Sequence, residues 1–340
     1  MIELFRPPPT ETSAPRPPVV WMFAGQGAQF FGMGAALMTG HPVFRAWMER
    51  LDAELEPFLD RAILSVLYDE SARLGDPFDR LSDSHPALFM VQVAMAQTLI
   101  AEGVPPPDLI LGVSLGEFVG SVVAGAQAPE TALRDLLAQA ALFEAQTDPG
   151  AMLMILDDVA RFRDDPIFAG RAELAGTSFA RCFVVAGPPR GIAEIAAHLA
   201  ARDVACQLLP VRFAFHSSAI DPVEAAYRRR PRKLAWTAGR IPVIGATDGT
   251  AQPFDPATRD WWRVAREPIR LDETLRALDT AHPGAVYVDL GPAGNLATAC
   301  RHALPGLGPD RAFGIMGPYG SDLANLDMAR RRLAGVGAST

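Results

Sequence analysis

Apolar residues in this chain fall in short continuous runs, separated by glycine-rich turns and by stretches with helical spacing. Val19-Val20-Trp21-Met22-Phe23 is an unbroken run of β-branched, aromatic and other apolar residues, the pattern of a strand buried on both faces. It ends in Gly25-Gln26-Gly27-Ala28-Gln29, a loop suited to close backbone approach. Helical spacing predicts helices over 42–56, 86–102 and 129–146. A second strand at 108–113 runs straight into a helix ending near 125. From 150 the rhythm changes. A strand at 150–156, a short helix at 157–164, strands at 172–176 and 181–186, a helix at 190–202 and a strand at 205–212 give the order β-α-β-β-α-β, the ferredoxin-like signature. A strand at 241–245, a helix at 268–280 and a strand at 285–290 then resume the alternation. The fold class is therefore α/β: a parallel sheet covered by helices, with a ferredoxin-like subdomain inserted at 149–212. The main body is 19–148 and 213–330. A proline-rich leader occupies 1–18 and a tail 331–340.

The junction between the second strand and its helix carries the candidate chemistry. Gly112-Val113-Ser114-Leu115-Gly116-Glu117 has the Gly-x-Ser-x-Gly form of a nucleophile elbow. The glycines let the backbone bend sharply, and the helix that starts there points its N–H groups at the serine. A serine hydroxyl needs a base. Of the six histidines, His41, His198, His282 and His302 read as structural from their local patterns. His216 differs: it lies in Phe213-Ala214-Phe215-His216-Ser217, where the chain leaves the inserted subdomain, and loops at such junctions line clefts. His85, before Pro86, is a second candidate for the cleft.

Composition narrows the function classes. Apolar content of 49% is ample for a large core, and a net charge of −8 argues against a nucleic-acid binder. That charge leaves room for a local basic patch, such as Arg228-Arg229-Arg230-Pro231-Arg232-Lys233, whose plainer reading is a solvated loop. The three cysteines have neither metal nor redox spacing, so no metal is expected. No signal peptide and no membrane-length apolar run are seen, which points to a cytoplasmic protein that does not engage a membrane.

Gly25-Gln26-Gly27-Ala28-Gln29, the serine turn, Phe213-Ala214-Phe215-His216-Ser217 and Val288-Asp289-Leu290-Gly291-Pro292 together resemble the acyltransferases of fatty-acid and polyketide synthesis, whose type member is malonyl-CoA:acyl-carrier-protein transacylase. The resemblance covers 19–320 with the motifs in order. It implies an α/β-hydrolase-like large domain with the ferredoxin-like insert. It also implies a Ser114–His216 dyad, an imidazole oriented by a backbone carbonyl, and an oxyanion hole from the backbone N–H groups of Gln26 and Leu115. Malonyl-type members hold a carboxylate with an arginine on the helix after the elbow; Gln139 stands there in this chain. Glutamine is neutral and does not replace that charge. The histidine usual before the serine is Val113, and the Thr-Gln-Pro-Ala of the malonyl enzyme reads Ser84-His85-Pro86-Ala87. These departures resemble the free-standing acyl hydrolases of trans-acyltransferase polyketide pathways. The expected function is a trans-acting, monomeric acyl hydrolase with no bound cofactor. It would remove uncharged acyl groups from the phosphopantetheine arm of acyl carrier protein domains. Gln139, His85, Val113, Phe213 and Phe215 would line the acyl site, and the Arg228–Lys233 run would meet the carrier. Transfer between carrier or CoA thioesters, a non-catalytic carrier-docking module, and an esterase using Asp289 and His302 are the alternatives.

Overall fold

A computed structural model describes residues 16–230 and 236–337. Its strands in chain order are β1 (Val19–Phe23), β2 (Leu109–Gly112), β3 (Ala151–Ile155), β4 (Glu173–Phe179), β5 (Cys182–Gly187), β6 (Cys206–Leu208), β7 (Val243–Gly245), β8 (Ile269–Arg270), β9 (Val286–Asp289) and β10 (Ala312–Gly314). They form two sheets. The first, in the order β10-β9-β1-β2-β7, is parallel throughout. Every residue of β1 is buried, as its unbroken apolar run demands of a central strand. The helix Leu115–Val123 follows β2 and is buried almost all round, so the serine turn sits in the middle of the molecule.

The second sheet has the order β6-β3-β5-β4-β8. Its first four strands come from the inserted segment, and their order is that of a ferredoxin-like sheet. The fifth, β8, returns from the main body and pairs with β4 in parallel. The chain enters and leaves the insert side by side: Gly150 N donates to Arg212 O at 2.8 Å, and a Cβ at Gly150 would strike the Ala214 backbone.

Several boundaries differ from the sequence reading. The helix expected over 86–102 is Leu81–Ala101, with Pro86 inside it. Proline sets φ for a helix but lacks the N–H for the next bond, so it marks a first turn more often than a sixth residue. The strand expected over 205–212 ends at Leu208. The tail expected from 331 is the end of the helix Asp322–Gly337, while residues 1–15 of the expected leader lie outside the described residues. The short helix Trp261–Arg266, β8 and β10 have no counterpart in the sequence pattern. Among the described residues, no helix is long and apolar enough to cross a membrane.

Candidate active site

Tight backbone packing shapes the serine turn. A Cβ at Gly116 would run into the Phe23 carbonyl, and one at Gly112 into the Glu117 backbone. Neither position accepts a side chain while β1, β2 and the helix keep their spacing. Ser114 is left at φ 52 and ψ −119, a positive φ that side chains other than glycine rarely adopt. His216 stands at φ 60. Among the described residues only three non-glycine residues have positive φ, and these are two of them. Strain of this kind persists only where surrounding structure enforces it.

The two side chains meet. His216 Nε2 lies 3.0 Å from Ser114 Oγ, and His216 Nδ1 lies 2.8 Å from the Glu267 carbonyl oxygen. A carbonyl only accepts, so Nδ1 carries the proton and Nε2 is free to accept from the serine hydroxyl. The His216 backbone N–H donates to Ala265 O at 2.9 Å, which fixes the loop. Burial lowers the imidazole pKa to about 4, against a smaller upward pull from the Glu267 carbonyl, so the ring is neutral at neutral pH. The arrangement can take a proton from Ser114 and return it to a leaving group.

The loop after β1 is pressed against this turn. A Cβ at Gly25 would stand 2.6 Å from Val113 O and 3.5 Å from Leu115 N, so only glycine brings the Gln26 backbone this close. Gln92, buried in the long helix, clamps the loop: its side chain accepts from Ala24 N at 2.6 Å and donates to Ala24 O at 3.1 Å. Gln29 accepts from Gly27 N at 2.7 Å and donates to Pro210 O at 2.8 Å. The signal for Gln92 in the sequence is an amide set in the apolar stretch Leu88–Ala96 of that helix.

A cavity of about 340 Å³ opens over Ser114 between the two sheets. Gln26, His85, Val113, Leu115, Gln139 and Phe215 line it with the dyad. Phe213 does not: it is buried behind Phe215, with the ring centroids 6.2 Å apart and edge to face. Among the described residues lining the cavity, none is Arg, Lys, Asp or Glu. Gln139 Oε1 lies 3.2 Å from the Tyr227 hydroxyl. Arg134 and Arg212, the nearest cations by sequence, are occupied elsewhere, with Glu54 at 2.7 Å and Asp79 at 2.8 Å. Burial lowers the His85 pKa to about 3, so this histidine is also neutral.

The other sequence candidates are accounted for. Asp289 caps the helix Asn295–Ala303, accepting from the N–H groups of Gly291, Leu296 and Ala297 at 2.8, 2.8 and 3.0 Å. His302 stacks on Phe179, with centroids 4.6 Å apart. They form no acid–histidine pair, which removes the esterase alternative. In the basic run, Arg228 pairs with Glu224 and Asp260, and Arg230 with Asp135. Pro231, Arg232 and Lys233 lie outside the described residues.

Comparison with known proteins shows the family of the chain. A family model described as "Acyl transferase domain" matches residues 20–336. The chain is 36% identical over 310 residues to the polyketide biosynthesis acyltransferase homolog PksD of Bacillus subtilis, covering 91% of this chain and 95% of that protein. It is 36% identical to the polyketide biosynthesis protein ThaF of Burkholderia thailandensis, over 94% of this chain but 28% of that one. Among solved structures, a loading acyltransferase from the avermectin modular polyketide synthase superposes with a TM-score of 0.81 at 25% identity, over 93% of this chain and 100% of that one. The malonyl CoA-acyl carrier protein transacylase of Coxiella burnetii superposes at 0.78 over 94% of this chain and 99% of that one; at 20% identity it speaks to the fold alone.

Proposed function

Since the chain belongs to the acyl transferase domain family, we propose that it is a Ser–His enzyme of polyketide biosynthesis that hydrolyses uncharged acyl groups from acyl carrier protein thioesters. The observation that carries this reading is the cavity over Ser114, lined without a permanent charge and with Gln139 where malonyl-type relatives carry arginine. A malonyl carboxylate buried there would lack a counter-ion, at a cost of several kcal/mol, on the order of 3 or more.

Ser114 Oγ attacks the thioester carbonyl carbon as His216 Nε2 takes its proton. The charge on the carbonyl oxygen is met by the N–H groups of Gln26 and Leu115. Collapse breaks the carbon–sulfur bond, and His216 returns the proton to the pantetheine sulfur. Water then attacks the acyl-serine carbonyl with His216 again as base; collapse breaks the bond from the acyl carbon to Ser114 Oγ, His216 returns the proton to Oγ, and the carboxylic acid leaves. The acyl-enzyme is shared with transfer to a second carrier, the reading that the names of the relatives favour. The intact dyad geometry speaks against a docking module without activity.

The test is incubation with acetyl- and longer acyl-loaded carrier protein in ¹⁸O-water, with and without an empty second carrier. Free acid carrying one ¹⁸O, with little loading of the second carrier, is expected. Quantitative loading of the second carrier without free acid would make the protein a transferase.

A further inference from the structure

The base is oriented by a peptide carbonyl, and a carbonyl is only as well placed as the backbone that carries it. We propose that Arg259 is a positioning residue that ties the carbonyl behind His216 to the turn carrying Ser114; this rests on the dyad proposed above. Glu117 lies in the first turn after Ser114 and is fully buried. Its Oε2 meets Arg259 Nη2 at 2.6 Å, and its Oε1 accepts from Thr247 Oγ1 at 2.8 Å. The other arm of the guanidinium reaches Asp248 at 2.6 Å, and its face lies over Phe254, 4.3 Å from the ring centroid. Gly245 makes room for the pair: a Cβ there would stand 2.6 Å from both Arg259 Nη2 and Glu117 Oε2.

From Arg259 the chain leads directly to the base. Asp260 caps the helix Trp261–Arg266, accepting from Trp262 N. Ala265 O, within that helix, holds the His216 N–H at 2.9 Å, and Glu267 O, just past it, holds the Nδ1 proton at 2.8 Å. His216 Nε2 then returns to Ser114 Oγ at 3.0 Å. The links close a ring through Ser114, Glu117, Arg259, Ala265–Glu267 and His216. A buried ion pair is weak evidence for stability, because apolar replacements often do as well, but it does set register. Here the register it sets is that of base against nucleophile.

The test uses the full-length protein. Arg259→Met alone strands the Glu117 charge, so the informative variants are Glu117→Gln with Arg259→Met, which carries neither charge, and Arg259→Lys, which keeps the charge without the fork. Two quantities are read: kcat and KM for acyl thioester turnover, and the downfield proton signal of His216 Nδ1–H, assigned by its loss in His216→Ala. The double variant should lose at least about 10-fold in kcat, hold KM within about 3-fold, and lose the signal to exchange. Arg259→Lys should show the same changes, reduced. A double variant with wild-type kcat and an intact signal overturns the proposal. So does a loss of kcat with the signal intact, which would make the pair a stability feature only. If the double variant does not fold, Arg259→Lys decides on the same two readouts. Ser114→Ala is the separate control: turnover that survives it removes the dyad itself, whatever Arg259 does.

Discussion

Ser114 and His216 both hold positive φ, and the His216 imidazole is neutral at neutral pH. Burial is what lowers His216 to about 4. Acylation needs Nε2 bare, so its rate should rise with pH through about 4 and level off above it. Pre-steady-state acylation of Ser114 across acid pH measures this; a midpoint at the ordinary 6.5 would mean the base is solvated in the working enzyme. Gln139 sets the other residue-scale expectation. Its amide pairs with Tyr227 at 3.2 Å and offers no charge to the cavity. Gln139→Arg should raise malonyl loading of Ser114 by at least about 10-fold, since a guanidinium can fork onto a carboxylate. It should also slow neutral acyl groups, because an unpaired cation must then be desolvated beside an apolar chain. Loading ratios by intact mass decide it; an unchanged ratio would place Gln139 away from the acyl group.

The strand–turn–helix that carries Ser114 is the element most tightly specified by sequence. Gly116→Ala would drive a methyl group into the Phe23 carbonyl and should cost at least about 2 kcal/mol in urea unfolding. Wild-type stability in that variant would show that β1 yields. This element was legible because its glycines, its serine and the apolar run before it all point the same way. So was His216, placed at the exit of the insert. The Glu267 carbonyl was not legible as an individual group, since every residue has a carbonyl. The helix and two-residue strand that flank it, Trp261–Arg266 and β8, are too short to show a period. Glu117 stood in plain view, a lone carboxylate in the apolar helix Leu115–Val123, but nothing in its neighbourhood names Arg259 as its partner. Pro86 misled in the other direction, by looking like a helix start.

At the scale of the whole molecule, the parallel sheet carries the Ser114 turn and the second sheet covers the cavity over it. Met152, Met154 and Val184, from the second sheet, face the same cavity as Ser114. On the proposed function, the carrier's arm would enter between the two sheets. Docking through the basic run is reduced by its internal pairing, since Arg228 and Arg230 already meet carboxylates. Arg229 is exposed. Arg229→Glu should raise KM for carrier-bound substrate and leave small acyl thioesters unchanged; equal effects on both would move the docking surface elsewhere. The proposed function requires that an uncharged cavity select uncharged acyl groups. Its most direct measurement offers the protein acetyl- and malonyl-loaded carrier protein in competition and follows acyl-Ser114 by intact mass. Acetyl should load at least about 100-fold faster, from an unpaired buried charge of about 3 kcal/mol. Equal loading of malonyl would overturn that selection and return the protein to the carboxylate-binding members of its family.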